Sequence, residues 1–332
     1  MKKYITIMIL VLLTTLIFGN DQSRAKPFIQ AEIWNFVSNS EYVSNDYRIG
    51  EPFFGTQVET NLCIKPADGL FFSGGILVRK FYGDEEFLSD IHPLFKMQYR
   101  FKSFIFTFGD LNSKNNHGLP DVLLSEQAPF KYEFEEGISA KYKGEKLRSE
   151  FWGIYPALNT PQHKEHLCVG SSNFVSLNKF TLLMQLYISH YGGQLYHPEG
   201  EFTHENYTGK FGIKYRISNF EFEQSAVASK TTEKRDEGYR YGAGSISQVT
   251  LYNKYVNVVL HYFLGKDYET ELGNDFYYSN EPYYYLELNK TGKIADVLDF
   301  EIGARADFVE VNPIEYFNSS NHITWLNLIY KY

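Results

Sequence analysis

The sequence predicts an all-β chain, a transmembrane antiparallel up-and-down β-barrel of about sixteen strands. Three observations predict it. Apolar and polar residues alternate with period two across nearly the whole chain, as in strands with one greasy and one wet face. Short and long connections follow one another in strict rotation. The last segment keeps alternating up to the final residue, Tyr332.

Along the chain, the first strand falls near Phe28–Val37, and a tight turn near Lys65–Gly69 closes an early hairpin. Phe95, Met97, Tyr99 and Phe101 alternate with Lys96, Gln98, Arg100 and Lys102. A two-residue turn at Lys102-Ser103 then sets Phe101 opposite Phe104, Tyr99 opposite Phe106 and Met97 opposite Phe108. Turns follow at Gly144-Glu145 and Asn178-Lys179. Tyr207, Phe211, Ile213, Tyr215 and Ile217 alternate with Thr208, Lys210, Gly212, Lys214 and Arg216. The turn at Ser218-Asn219 pairs Ile217 with Phe220, Arg216 with Glu221, Tyr215 with Phe222 and Lys214 with Glu223. A turn at Asn253-Lys254 sets Leu251 against Val256 and Val249 against Val258, and another is expected at Asn289–Gly292. Leu298 to Phe308 alternates again, and a final strand near Ile323–Tyr332 should pair with the first. A one-residue slip in any hairpin would mix the faces, so the matched faces fix the registers.

Composition narrows the class. Aromatic residues are 17% and charged residues 22%, so the chain is neither disordered nor of low complexity. The apolar fraction is 43%, but beyond residue 25 no stretch holds 18 unbroken apolar positions, which rules out a helical membrane protein. A net charge of −8 argues against nucleic acid as a partner. Residues 1–25 carry Lys2 and Lys3, an apolar run from Tyr4 to Phe18, and Ser23-Arg24-Ala25. They are expected to be a cleaved signal peptide, leaving 26–332 as the barrel. Cys63 and Cys168 are read as buried fillers; nothing in the sequence places them together.

A soluble sandwich would alternate in the same way. The barrel is preferred because the leader, the even strand count, the rotation of short turns with long loops and the aromatic strand ends all fit a membrane wall. Thr324, Leu326, Leu328, Tyr330 and Tyr332 end the chain on an aromatic. In this the chain resembles bacterial outer-membrane barrels, and that resemblance implies recognition of Leu326, Leu328, Tyr330 and Tyr332 by the barrel-assembly machinery. Tyr332 stands where the family usually has Phe. An open sheet edge cannot be solvated in hydrocarbon, so the sheet must close. Sixteen strands leave more lumen than wall side chains fill.

The connection 110–134 is the longest. It carries Leu119, Val122, Leu123, Leu124 and Phe130, which are costly to leave in water. Pro120 suits the start of a short helix to Gln127, and Gly109 would leave room for the loop to fold inward. Here the chain is similar to the sixteen-stranded general porins, whose third external loop folds into the barrel; the family's short motifs are absent. The resemblance implies an outer-membrane porin of a Gram-negative bacterium, passing small hydrophilic solutes or ions, with outer-membrane lipid and lipopolysaccharide around it and a homotrimer; with no catalytic, metal-binding or nucleotide-coupling motif in the sequence, the expectation is of no enzyme, cofactor or metal. Asp121, Glu126 and Glu133 are then the acidic candidates of the constriction. Lys96, Arg100, Lys141, Arg148, Lys210, Lys214, Arg240, Asp299, Glu301 and Arg305 are the charges of the polar faces that would line the pore.

Two other classes stand beside the porin. A barrel lipid hydrolase needs a Ser or Thr nucleophile and a His on the lipid-facing side. Ser189 and His190 are adjacent and so face opposite sides, and His117 is read as at best a solute contact. His163, Glu165 and His166 share one stretch, but a third metal ligand is missing. No Gly-rich phosphate loop or H-E-x-x-H appears. An adhesin or structural barrel would favour larger outer loops than most seen here.

Overall fold

The computed structural model describes residues 26–41, 50, 52–111, 116–125, 128, 135–200, 202–278, 280–309 and 321–331. Within them run β1 (Phe28–Glu41), β2 (Phe53–Ala67), β3 (Leu70–Phe81), β4 (Asp90–Phe101), β5 (Phe104–Asp110), β6 (Glu136–Lys143), β7 (Leu147–Ala157) and β8 (Glu165–Leu177). Then follow β9 (Phe180–Gly192), β10 (His204–Ile217), β11 (Phe220–Thr232), β12 (Arg240–Leu251), β13 (Asn257–Lys266), β14 (Tyr283–Ala295), β15 (Leu298–Val309) and β16 (Asn321–Lys331). Each strand pairs antiparallel with its neighbours in sequence, and β1 pairs with β16, so the sheet closes. Closure pairs the backbone of every strand on both sides, which a wall in hydrocarbon requires.

Period-two alternation orients the side chains. On β9, Met184 and Leu186 are exposed outward while Leu183, Gln185, Tyr187 and Ser189 are buried inward. Phe101, Phe104, Phe106, Phe180, Phe220 and Phe222 stand exposed near the short-turn end, and Tyr155, Tyr241 and Tyr262 toward the other. Among the described residues no helix is long and apolar enough to cross a membrane; the crossing is made by strands.

The expected registers hold at Lys102-Ser103 and Ser218-Asn219: Met97 faces Phe108, Lys214 faces Glu223 and Arg216 faces Glu221. Two turns are corrected. Leu251 pairs with Val258 and Val249 with Leu260, so the β12–β13 connection is wider than the two residues expected. β14 runs through Asn289–Gly292 to Ala295, and the turn falls at Asp296-Val297. Lys290 and Lys293 there continue the strand, paired with Ile302 and Asp299.

Residues 116–125 and 128 fold into the barrel, with Val122 and Leu123 fully buried. The expected helix at Pro120–Gln127 is absent from the described part of that span; hydrogen-bonded turns follow Pro120 instead, with Leu123 and Leu124 N–H donating to its carbonyl. Gly109 has φ +97, and a side chain there would collide with the Phe95 carbonyl. Its requirement is a backbone one, not room for the loop. Cys63 and Cys168 are both buried and free.

Candidate functional site

The inward loop and the β13–β14 connection pack together at the long-loop end of the lumen. Val122, Leu123, Leu124, Tyr268, Leu272, Phe276 and Tyr277 meet wall residues Trp152, Phe263, Tyr283 and Tyr285 in one apolar core. Backbone bonds stitch the two loops: Ser125 N–H donates to Leu272 O (2.7 Å) and Asn274 N–H to Asp121 O (2.8 Å). Tyr268 donates to Val122 O at 3.0 Å. Burial pushes the Tyr268 and Tyr277 phenols well above their ordinary value, so both stay neutral.

Charge anchors this core on both sides. Asp121 lies 3.0 Å from Arg305 and accepts from Tyr277 at 2.8 Å, while Arg305 also meets Asp307 at 2.9 Å. His117 is no solute contact: it is buried, stacks on Trp152 at 4.1 Å, and lies 2.5 Å from Glu150 and 3.2 Å from Glu135. Burial works against its charged form, but the facing Glu135 and Glu150 carboxylates overcome this and hold the imidazole above its ordinary value.

The charges expected on the inner faces lie there, and most are paired. Lys210 meets Glu223 at 2.7 Å, and Lys214 meets Glu223 at 3.1 Å and Glu221 at 3.3 Å. Lys96 meets Asp110, Lys141 meets Glu150, Arg240 meets Glu233 and Glu269, and Asp299 meets Lys293. Arg148 lies over Phe174, and Glu301 accepts from Trp325. Arg100 lines a cavity of about 700 Å³ at the short-turn end, with Lys65, Asp68 and Gln98. Glu126, Glu133 and Tyr332 lie outside the described residues. Leu326 and Leu328 sit on the outward row opposite Ile302 and Phe300, and Tyr330 is in register with Leu298.

Two constellations escaped the sequence reading, one on each side of the wall. Inside, Ser189 and Cys168 face each other across β8 and β9. His166 Nε2 lies 2.9 Å from Ser189 Oγ and 3.1 Å from Cys168 Sγ, and its ring stacks on Tyr191 at 4.0 Å. Glu271, from the β13–β14 connection, pairs with His204 at 3.1 Å. Burial opposes its ionisation, yet bonds from His204, Ser189 and Tyr191 hold it below the usual carboxylate range. Glu271 is tied to His204, the His166 imidazole is shared between Ser189 and Cys168, and Ser189 is fully buried. The inner cluster therefore tethers a loop to β8–β10. Among the described residues no group of His, Cys, Asp and Glu could hold a metal ion.

Outside, at the long-loop end, His190 and Glu205 are register partners on β9 and β10. His190 Nδ1–H donates to the Glu205 carboxylate at 3.1 Å. Glu205 also accepts from Arg235 and Tyr239 of the β11–β12 connection. This carboxylate is only 3% exposed although it sits on the outward row of Tyr207, Phe211 and Ile213. His190 Nε2 has no hydrogen-bond partner among the described residues, and its ring lies where a side chain at Gly192 would stand. With Nδ1 committed as donor, neutral His190 presents the Nε2 lone pair. A signal existed: His190 continues the outward row of Met184, Leu186 and Ile188, and Glu205 precedes Tyr207 on its own. Ionisable residues on a lipid-facing row are costly and mark function by default.

Solved structures share the fold. An OmpT loop L8 deletion mutant from Vibrio cholerae is 9% identical, with 92% of this chain and 99% of that chain covered and a TM-score of 0.60. The trimer form of Vibrio cholerae OmpT is 7% identical, with 93% and 100% covered and a TM-score of 0.57. An anion-selective porin from Comamonas acidovorans is 9% identical, with 92% and 100% covered and a TM-score of 0.57. The porin-like outer-membrane barrel expected from the sequence is thereby established as architecture. No curated protein matches the chain. The sequence model of a family described as "Lipid A 3'-O-deacylase-type" matches residues 20–309. That match overturns the expectation that the chain is not an enzyme, since the family is named for an acyl-ester hydrolysis. Spanning nearly all of the barrel, it shows that the chain belongs to the lipid A 3'-O-deacylase-type family.

Proposed function

We propose that the chain is an outer-membrane esterase that removes an ester-linked acyl chain from a lipid A-type glycolipid in the outer leaflet. The observation that carries the reading is the His190–Glu205 pair on the outward face. A substrate embedded in the outer leaflet reaches the wall from outside, so the sealed Ser189 cluster within cannot meet it. In the proposed reaction His190 Nε2 takes a proton from water as that water attacks the acyl carbonyl. The tetrahedral intermediate collapses, the C–O bond breaks, and the imidazolium returns the proton to the departing sugar alkoxide. Glu205 holds the tautomer and stabilises the imidazolium; Arg235 and Tyr239 hold Glu205 in place.

The family match supports the substrate class, and the long-loop end as the outer end follows from the usual placement of long loops in such barrels. The experiment is release of fatty acid from purified lipid A in mixed micelles by the refolded protein. Wild type should release it, and His190→Ala should reduce the rate roughly 10²- to 10⁴-fold, the usual worth of a general base. Equal rates for the two proteins would refute the assignment.

Diffusion through the lumen is a second reading, favoured by the inward loop that sets Asp121 against Arg305. The apolar core around Val122 and Leu123 opposes a wide pore. Discrete ion-conducting steps in planar bilayers would support passage of small solutes; silence would remove it.

A further inference from the structure

We propose that Lys230 is the anion-binding residue of the outward site, taking a phosphate of the same acylated glycolipid so that an ester of that molecule lies at His190. The proposal rests on the hydrolase reading for the ester and goes beyond it for the phosphate.

Lys230 lies on the outward face of β11, in register with Tyr207 on one side and Tyr241 on the other. Its ammonium sits 3.9 Å from the Tyr239 ring centroid and 5.5 Å from that of Tyr207. The neighbouring cations of this patch are matched to carboxylates: Arg235 to Glu205 and Lys234 to Glu237. Lys230 has no carboxylate partner among the described residues. Tyr239 links the two halves of the site, with its ring under Lys230 and its hydroxyl on Glu205, which in turn fixes His190. An unmatched cation and the base therefore lie within the reach of one tyrosine and one carboxylate.

Lys230 stands two residues from the long-loop end of β11, where a lipid-facing lysine is tolerated far better than at mid-bilayer and meets the headgroup layer. Aromatic faces hold the ammonium by cation–π attraction and keep one side of it dry. The complementary group at this depth is a headgroup phosphate. A phosphate monoester, carrying up to two negative charges, suits it better than a zwitterionic phosphodiester, whose own cation competes for the anion.

The test compares phosphorylated lipid A with the same lipid after phosphatase treatment, using the full refolded chain. Fatty-acid release gives kcat/KM on each. Flotation with phosphatidylcholine vesicles carrying either lipid gives binding without turnover. Wild type should favour the phosphorylated lipid tenfold or more in both readouts, K230M should lose most of that preference, and K230R should keep it. Heat-modifiable gel mobility checks that each variant is folded. Equal preference in wild type and K230M overturns the proposal, even if His190→Ala abolishes release. If wild type releases no fatty acid, the hydrolase reading fails by itself and the flotation ratio still decides the anion site. Millimolar inorganic phosphate is the second arm. Competition together with the lipid preference supports a headgroup phosphate site, whereas competition without any lipid preference marks a free-phosphate site and overturns the assignment to lipid.

Discussion

Leu123→Ala probes whether the apolar core holds the inward loop. Leu123 is fully buried among the two loops and the wall. Truncating such a leucine costs about 2–5 kcal/mol, through lost transfer energy and a residual cavity. The wall is paired strand to strand on both sides and does not depend on this side chain. The loss therefore falls on docking of the loop, shifting its docked-to-open ratio by roughly 30-fold or more at tenfold per 1.4 kcal/mol. Amide hydrogen exchange reads that ratio, because the Ser125 and Asn274 N–H groups bond across the docked loops, to Leu272 O and Asp121 O. Their exchange should accelerate by about tenfold or more while amides of β9 and β10 keep their rates. Exchange within twofold of wild type at both positions would refute the claim that this core anchors the loop.

Three further outcomes are expected. Glu205→Gln should slow fatty-acid release by roughly 10²-fold, because the imidazolium loses its counter-charge; an unchanged rate would show that Glu205 does not serve His190. His117 contributes to docking through its protonated form. Its folded value lies above the unfolded 6.5, so the contribution is complete below pH 6.5 and fades as pH rises through the folded value. Exchange at Ser125 measured against pH should accelerate along that rise beyond the intrinsic base-catalysed trend in wild type and not in His117→Gln, and parallel profiles would contradict this. Glu223→Gln breaks the buried Lys210–Glu223 pair, while the half-buried Lys214 keeps Glu221, and should destabilise the barrel by about 3–5 kcal/mol, read as a lower temperature for loss of heat-modifiable mobility.

Much of the wall was legible because its side chains obey a rule with one period. Lys214 faces Glu223 since a two-residue turn and a greasy face leave one register. The turn at Asn289–Gly292 was misplaced because Asn and Gly favour turns locally, and cross-strand pairing to Gly303 and Ile302 overrode them. His117 looked like loop chemistry because its Trp152 and Glu150 partners come from a strand more than thirty residues away. Ser189 and His190 do face opposite sides, as adjacency requires. Each nonetheless found a partner on a neighbouring strand, His166 for one and Glu205 for the other. The family match, not the physical reading, reversed the non-enzymatic expectation.

What the sequence by itself determined was the closed membrane wall, because period-two alternation is local and a sheet in hydrocarbon has no other way to satisfy its edges. What only the tertiary structure decided was what the wall carries. Arg235, Tyr239, Glu205 and His190 meet on its outer surface, and Leu123, Leu272 and Trp152 fill part of its interior. Those contacts join residues far apart in the chain, and no local periodicity encodes which loop bends toward which strand.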